Sequence, residues 1–328
     1  MNFINDMDNF NFNYLYIKKI IKKAVKNNLI IKNNIMLLDE SFIIKIIPKL
    51  KHPITKTKQI KPNNDYQEAE FYKDLTKLLI KTNKTPHIVG LFKRYLIEDI
   101  KILFPKKCFE QKQNDNNNKL CLIKDEYDNK IIEKKASILI LEHCPDTIQG
   151  QLEKILNKKI DVFDIFINRV IFQVIFTLNV IQQTYPNFTH NDLSLSNIFA
   201  INDITNDNND YVEYNFNNIH YYLPANGIYI KINNFGHSLK QSLKQNTNLS
   251  DISTFLTDLY QTLKQTIINN IKNTNLQNTF NAKLKKIIDN FLNNKNIKAP
   301  NDYFKLNLFN KLTKLPNNID VRIIKIYN

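Results

Sequence analysis

Hydrophobic and polar positions follow two different periods along this chain, and the change falls near the middle. Through the first 143 residues the apolar runs are short. Ile35–Ile47 (IMLLDESFIIKII) predicts two short strands joined at Asp39–Glu40–Ser41, and Ile88–Ile97 and Ser137–His143 predict two more. Between them, Phe71, Leu75, Leu78 and Leu79 recur at helical spacing within Gln67–Ile80. Tyr14–Val25 reads as a helix or a first strand. Lys51–Asp65, Gln111–Lys119 and Asp125–Lys130 read as loops. Beyond Cys144–Pro145 the helical period dominates. Thr147–Leu156 is expected as a short helix and Val162–Tyr185 as a long buried one. Thr189–Ala200 is a polar loop entering a strand, Asn202–Asn218 is low-complexity in Asn and Asp, and Ile228–Ile232 is a strand. From Leu249 to about residue 294 the pattern is helical again.

Together these predict an α+β protein. Residues 1–34 form an extension or degenerate first strands, residues 35–143 a small β-rich part with one main helix, and residues 144–328 a larger helical part with an insert at about 201–227.

Composition narrows the function. The chain has 328 residues, of which 43% are hydrophobic, enough for a sizeable core. It has only 4 glycines, the first at Gly90, so a glycine-rich phosphate loop is absent or degenerate. Lys and Arg total 46 against 31 Asp and Glu, a net charge of +15. The lysines are spread along the chain with no Arg-rich segment. The charge therefore reads as a solvated basic surface that favours phosphate-bearing ligands, with nucleic acid the lesser expectation. Cys108, Cys121 and Cys144 have no metal-ligand spacing and read as reduced thiols of a cytoplasmic protein. The acidic start, with Asp6 and Asp8, does not read as a signal peptide, and none is expected. The most apolar stretch, Ile165–Ile181, contains Asn168, Arg169, Gln173 and Asn179. It reads as a core helix and no membrane span is expected.

The chemistry concentrates after that helix. His190-Asn191-Asp192-Leu193 followed by Asn197-Ile198 gives H-x-D-L-x-x-x-N-I, and Asn234-Phe235-Gly236 follows a short apolar run. This order resembles the catalytic core of the protein-kinase superfamily, H-R-D-L-x-x-x-N and then D-F-G. An aspartate in such a loop can accept the proton of an attacking hydroxyl, and an asparagine five residues on can turn its amide oxygen to a metal ion. Phe42-Ile43-Ile44-Lys45 resembles the strand with the phosphate-contacting lysine. Glu68 is the expected acidic partner, with Glu70 as competitor. Ile140-Leu141-Glu142-His143-Cys144 resembles the last strand and hinge, and Asp251 the helix aspartate that braces the catalytic loop. The run from Phe188 to Ser238, with Tyr221-Tyr222-Leu223-Pro224 inside it, is similar to the serine/threonine kinases of large DNA viruses. The resemblance covers roughly residues 35–295.

The resemblance implies a bilobal kinase-like fold and ATP as cofactor. The adenine would meet the backbone of Glu142 and Cys144, Lys45 the phosphates, and Asn197 and Asn234 would hold Mg²⁺ or Mn²⁺. Asp192 would be catalytic and a protein hydroxyl the acceptor. Five departures stand beside it. There is no glycine loop, and Asn234 replaces the metal-binding aspartate. Ser194 stands where a lysine is usual, and Asn191 replaces the arginine of H-R-D. Only residues 237–250 separate Gly236 from Asp251, with no A-P-E. Two readings follow: a divergent phosphotransferase, or a pseudokinase that binds nucleotide or protein. A carboxylate from Asp203, Asp207 or Asp210 could in principle compensate for Asn234.

Overall fold

A computed structural model describes residues 35–37, 42–51, 64–104, 119–156, 160–201, 209–240, 247–294, 296–315 and 321–327. Tyr14–Val25, the turn Asp39–Glu40–Ser41, Cys108, Asp203 and Asp207 lie outside the described residues. The chain divides into two compact units, Met1–Thr76 with Val89–His143, and Lys77–Ile88 with Cys144–Asn328. It mixes helices and sheets, as an α+β chain does.

The first unit holds a four-stranded antiparallel sheet in the order β1 (Ile35–Leu37), β2 (Phe42–Leu50), β4 (Ile132–Glu142), β3 (Leu91–Ile97). Successive side chains of a strand point to opposite faces. Phe42, Ile44 and Ile46 therefore share one face and join Ile97, Ile138 and Ile140 in a core closed by Ile100, Leu103 and Ile123. Lys45 lies on the other face, where it meets helix α1 (Asn64–Leu75). With both faces covered, β2 reads as an unbroken apolar run rather than an alternation. Pro48 lies beyond Lys45, the last residue paired with β1, so its missing N–H falls where β2 is an edge among the described residues.

One expected loop is helical. Helix α2 (Lys119–Asp128) includes Asp125–Asp128. Ile123 is buried, Tyr127 packs against the core, and Lys124 pairs with Asp128 one turn on at 2.6 Å. The charged outer face hid the helical period. Lys130, at φ 59°, then ends the segment in the left-handed region.

The second unit is built around helix α4 (Ile160–Thr184), which follows β5 (Asp146–Thr147) and α3 (Ile148–Leu156). The apolar window in its Ile165–Thr184 part is 83% buried, as a core helix requires. Arg169, Gln173 and Thr177 lie one turn apart along one face. Arg169 Nη1 donates to Asn226 O at 2.9 Å. Gln173 donates to Ile228 O at 3.0 Å and accepts from Ile230 N at 2.9 Å. The Thr177 hydroxyl lies 3.3 Å from that of Thr85. This polar stripe docks β9 (Tyr229–Ile232), which pairs with β6 (Ile198–Ile201) and through it with β5.

The region expected to be low-complexity insert contains a hairpin. In β7 (Asp210–Phe216), Val212, Tyr214 and Phe216 are buried and alternate with half-exposed Tyr211, Glu213 and Asn215. Asn217 and Asn218, at φ 52° and 62°, make the two-residue turn into β8 (Ile219–Pro224). Positive φ at both central residues is what a hairpin turn matched to strand twist needs, and Asn tolerates it. The Asn-rich composition concealed a period-2 strand. Strand β10 (Arg322–Tyr327) adds to β7 in parallel, and the Arg322 guanidinium clasps the buried Asp210 carboxylate with bonds of 2.7 and 2.9 Å. Helices α5 (Thr247–Asn270) and α6 (Thr274–Leu292) complete the unit.

Candidate active site

In the first unit the β2–α1 geometry joins Lys45 to Glu68. Lys45 Nζ donates to Glu68 Oε1 at 2.5 Å, and the two side chains are 14% and 6% exposed. Phe71 and Tyr72, three and four residues after Glu68, are fully buried, so Glu68 shares the inward face of α1. Glu70 points elsewhere and pairs with Arg94 and, at 3.8 Å, with Lys73. The choice between the two glutamates is thus made by helix phase. Glu142 is buried at the end of β4. Its Oε2 accepts from Gly90 N at 3.0 Å and its own N–H donates to Gly90 O at 2.9 Å. Cys144 opens the next segment as a partly buried thiol in no disulfide.

The second unit gathers His190, Asp192, Asn197, Asn234 and Asp251. Strand pairing does the gathering. Ile198 of β6 lies opposite Ile232 of β9, and Asn233 N donates to Asn197 O at 2.9 Å. The residues before β6 and after β9 are thereby neighbours. Asn197 Nδ2 donates to Asp192 O at 2.7 Å and to Asp192 Oδ2 at 2.9 Å. Asn234 Nδ2 donates to the same Asp192 Oδ2 at 3.2 Å and to Asn197 Oδ1 at 3.1 Å. Among the described residues the Asp192 carboxylate is held by two amides and no cationic side chain.

The loop itself is braced from α5. Asp251 accepts from His190 N at 2.6 Å and Asn191 N at 2.9 Å. Burial raises its carboxyl to about 6, against the opposing pull of those two N–H groups. A second brace was missed in the sequence. Asp258 Oδ2 accepts from Leu195 N at 2.7 Å. Its spacing of seven residues from Asp251, two helical turns, was the available signal. His190 is buried, and its Nε2 lies 3.0 Å from Asn233 O. Burial lowers its ring to about 4, so at neutral pH it is the uncharged tautomer donating to that carbonyl. It also packs on Phe235, with ring centroids 5.3 Å apart. It is a positioning residue, not a base.

Asn191 stands in the left-handed region at φ 61°. Its side chain donates to Thr189 Oγ1 at 3.0 Å and to His237 O at 2.9 Å. Thr189 and Leu239 exchange backbone bonds of 3.0 and 2.8 Å. The segment after Gly236 is therefore tied to the loop by neutral hydrogen bonds.

The metal that the kinase resemblance implies would meet these same donors. Asn197 Oδ1 already accepts from Asn234, and both amides turn N–H toward Asp192. Among the described residues no three His, Cys, Asp or Glu side chains form a metal-holding group. Asp210 does not compensate, because Arg322 occupies both its oxygens. These residues do not fit a carboxylate-held Mg²⁺.

A lysine–glutamate pair on a strand and helix, an aspartate loop braced by a helix carboxylate and an Asn-Phe-Gly turn after the partner strand define a kinase-type protein. The chain belongs to the protein-kinase family, with the kinases of giant viruses. It is 31% identical over 350 aligned residues, 88% of this chain and 87% of the relative, to a protein of Acanthamoeba polyphaga mimivirus named as a putative serine/threonine-protein kinase. No family model matches the chain.

Proposed function

We propose that this protein is a divergent serine/threonine kinase that moves the γ-phosphoryl group of ATP to a protein hydroxyl. The observation that carries the reading is the held carboxylate of Asp192, with two amides on one side and backbone N–H groups of its loop fixed by Asp251. In that reading Lys45, oriented by Glu68, contacts the α- and β-phosphates, and the backbone of Glu142 and Cys144 meets the adenine. The substrate hydroxyl oxygen attacks the γ-phosphorus, the bond to the bridging oxygen breaks, ADP leaves, and the hydroxyl proton passes to Asp192.

A second reading, a pseudokinase that binds nucleotide or protein without chemistry, is favoured by one observation, the amide of Asn234 in the position of a metal-binding carboxylate. Labelled γ-phosphate transfer to the protein itself and to general acceptor proteins separates the two. The expected outcome is incorporation on serine or threonine by wild type and none by Asp192→Ala. No incorporation by folded wild type would leave the pseudokinase reading standing.

A further inference from the structure

Asn234 has a simpler explanation, and the geometry speaks against it. It caps the short turn Phe235–His237 with φ 66° and ψ 62°, a conformation asparagine tolerates, so a turn former would suffice. Yet its side chain makes no hydrogen bond to that turn. The side chain is spent on Asp192 Oδ2 at 3.2 Å and Asn197 Oδ1 at 3.1 Å. With Asn197 Nδ2 on Asp192 Oδ2 at 2.9 Å, the three side chains close a ring of hydrogen bonds.

The chemistry of the ring fixes its orientation. Turning the Asn234 amide over would set its oxygen against two other oxygens with no proton between them. Only the orientation with N–H toward both is satisfied. An aspartate at 234 would place a second carboxylate on the first. Such a pair needs a cation or a proton between its members. The amide supplies the two positive contacts that a divalent ion would otherwise supply.

We infer that Asn234 is a hydrogen-bond latch onto Asp192 and Asn197 that takes the place of a divalent cation held between positions 197 and 234, so that this site is organised without metal. The inference rests on the kinase reading only for the identity of the site. Its test uses the metal alone, so it can fail or stand whether or not phosphate is transferred.

The thermal midpoint of the full chain, without nucleotide, is measured in chelator, in Mg²⁺ and in Mn²⁺. Wild type is expected to be indifferent to all three. Asn234→Asp is expected to fall by about 3 °C in chelator and to recover with Mn²⁺, because its paired carboxylates then gain their cation. Asn234→Ala loses the latch without gaining a ligand. It is expected to fall by about the same amount and not to recover. Asn234→Asp that folds only with Mn²⁺ would support the latch equally. Mn²⁺ titration followed by electron paramagnetic resonance gives a second readout, with Asn234→Asp binding at least about tenfold tighter than wild type. Wild type stabilised by a cation as strongly as Asn234→Asp would overturn the inference. So would an Asn234→Asp protein with the wild-type midpoint in chelator.

Discussion

The two units carry their chemistry-bearing residues in opposite ways. In the first, Lys45 and Glu68 project from a strand and a helix whose side chains are fixed by packing, and opposite charges join them. In the second, Asp192 projects from a loop, no cation among the described residues touches it, and neutral amides on its carboxylate and loop N–H groups bonded to Asp251 hold it in place. The first arrangement depends on two residues meeting across a sheet face. The second depends on a network whose members come from α5, β6, β9 and the segments beside them. A charge pair on rigid elements is robust to small shifts, because Coulomb attraction falls slowly with distance. A hydrogen-bonded loop is not, because its bonds are directional.

The sharpest way to break the comparison is Asp251→Ala. It leaves the buried His190 N–H unpaired and takes the acceptor from the partly buried Asn191 N–H, and a cost of about 3 kcal/mol is expected from lost charge-assisted bonds. Denaturant unfolding measures it, and hydrogen exchange should localise the opening to His190 and Asn191. Uniform loosening of the chain would contradict the assignment of Asp251 as a local brace. Next in size is Lys45→Met, which keeps the aliphatic stem but strands Glu68. About 2 kcal/mol is expected, less than the 3–5 of a fully buried pair, because the lysine is partly exposed. The loss should be confined to the first unit, leaving exchange at residues 189–197 unchanged.

The last test is the response to pH, where opposing contributions leave a smaller net effect. His190 is held down from 6.5 to about 4, so the unfolded chain binds the extra proton, and stability from this group rises with pH across that window. His87, between the carbonyl of Ile230 and the hydroxyl of Tyr214, is held down by burial to about 3 and adds the same sign. Asp251 is held up from 3.8 to about 6, so the folded chain binds its proton, and stability from it falls as pH rises. The contributions oppose each other between about pH 4 and 6. Asp251→Asn removes the opposing one, and acid destabilisation over that range should become steeper. An unchanged slope would show that the Asp251 carboxyl titrates as it does in water.

Much of the candidate site could be read before the fold was known. The spacing of His190, Asp192 and Asn197, the Asn-Phe-Gly run and the helix aspartate are local patterns, and local patterns survive in sequence. Other features were hidden for identifiable reasons. Strand β7 was masked by the Asn- and Asp-rich composition of the sequence Asn202–Asn218 that contains it, although Val212, Tyr214 and Phe216 kept the period. The end of α2 was masked by charges that make an i,i+4 pair on its outer face. Gln173 could be read as a sign that α4 was not a membrane span. That it clamps Ile228 and Ile230 could not, because those residues are far away in the chain.

The sequence by itself determined the α+β class, the kinase kinship, the aspartate loop and the absence of a glycine-rich phosphate loop, because each is written in residue types at short spacing. Glu68 was the expected partner of Lys45 with Glu70 as competitor, and tertiary structure decided between them and gave Glu70 to Arg94, since that turns on helix phase against a sheet face. It also decided that Asp210 is committed to Arg322, across most of the second unit's sequence. And it gave the amide of Asn234 its direction, because a hydrogen bond is assigned by the acceptors that surround the donor, and those acceptors arrive only when β6 and β9 pair.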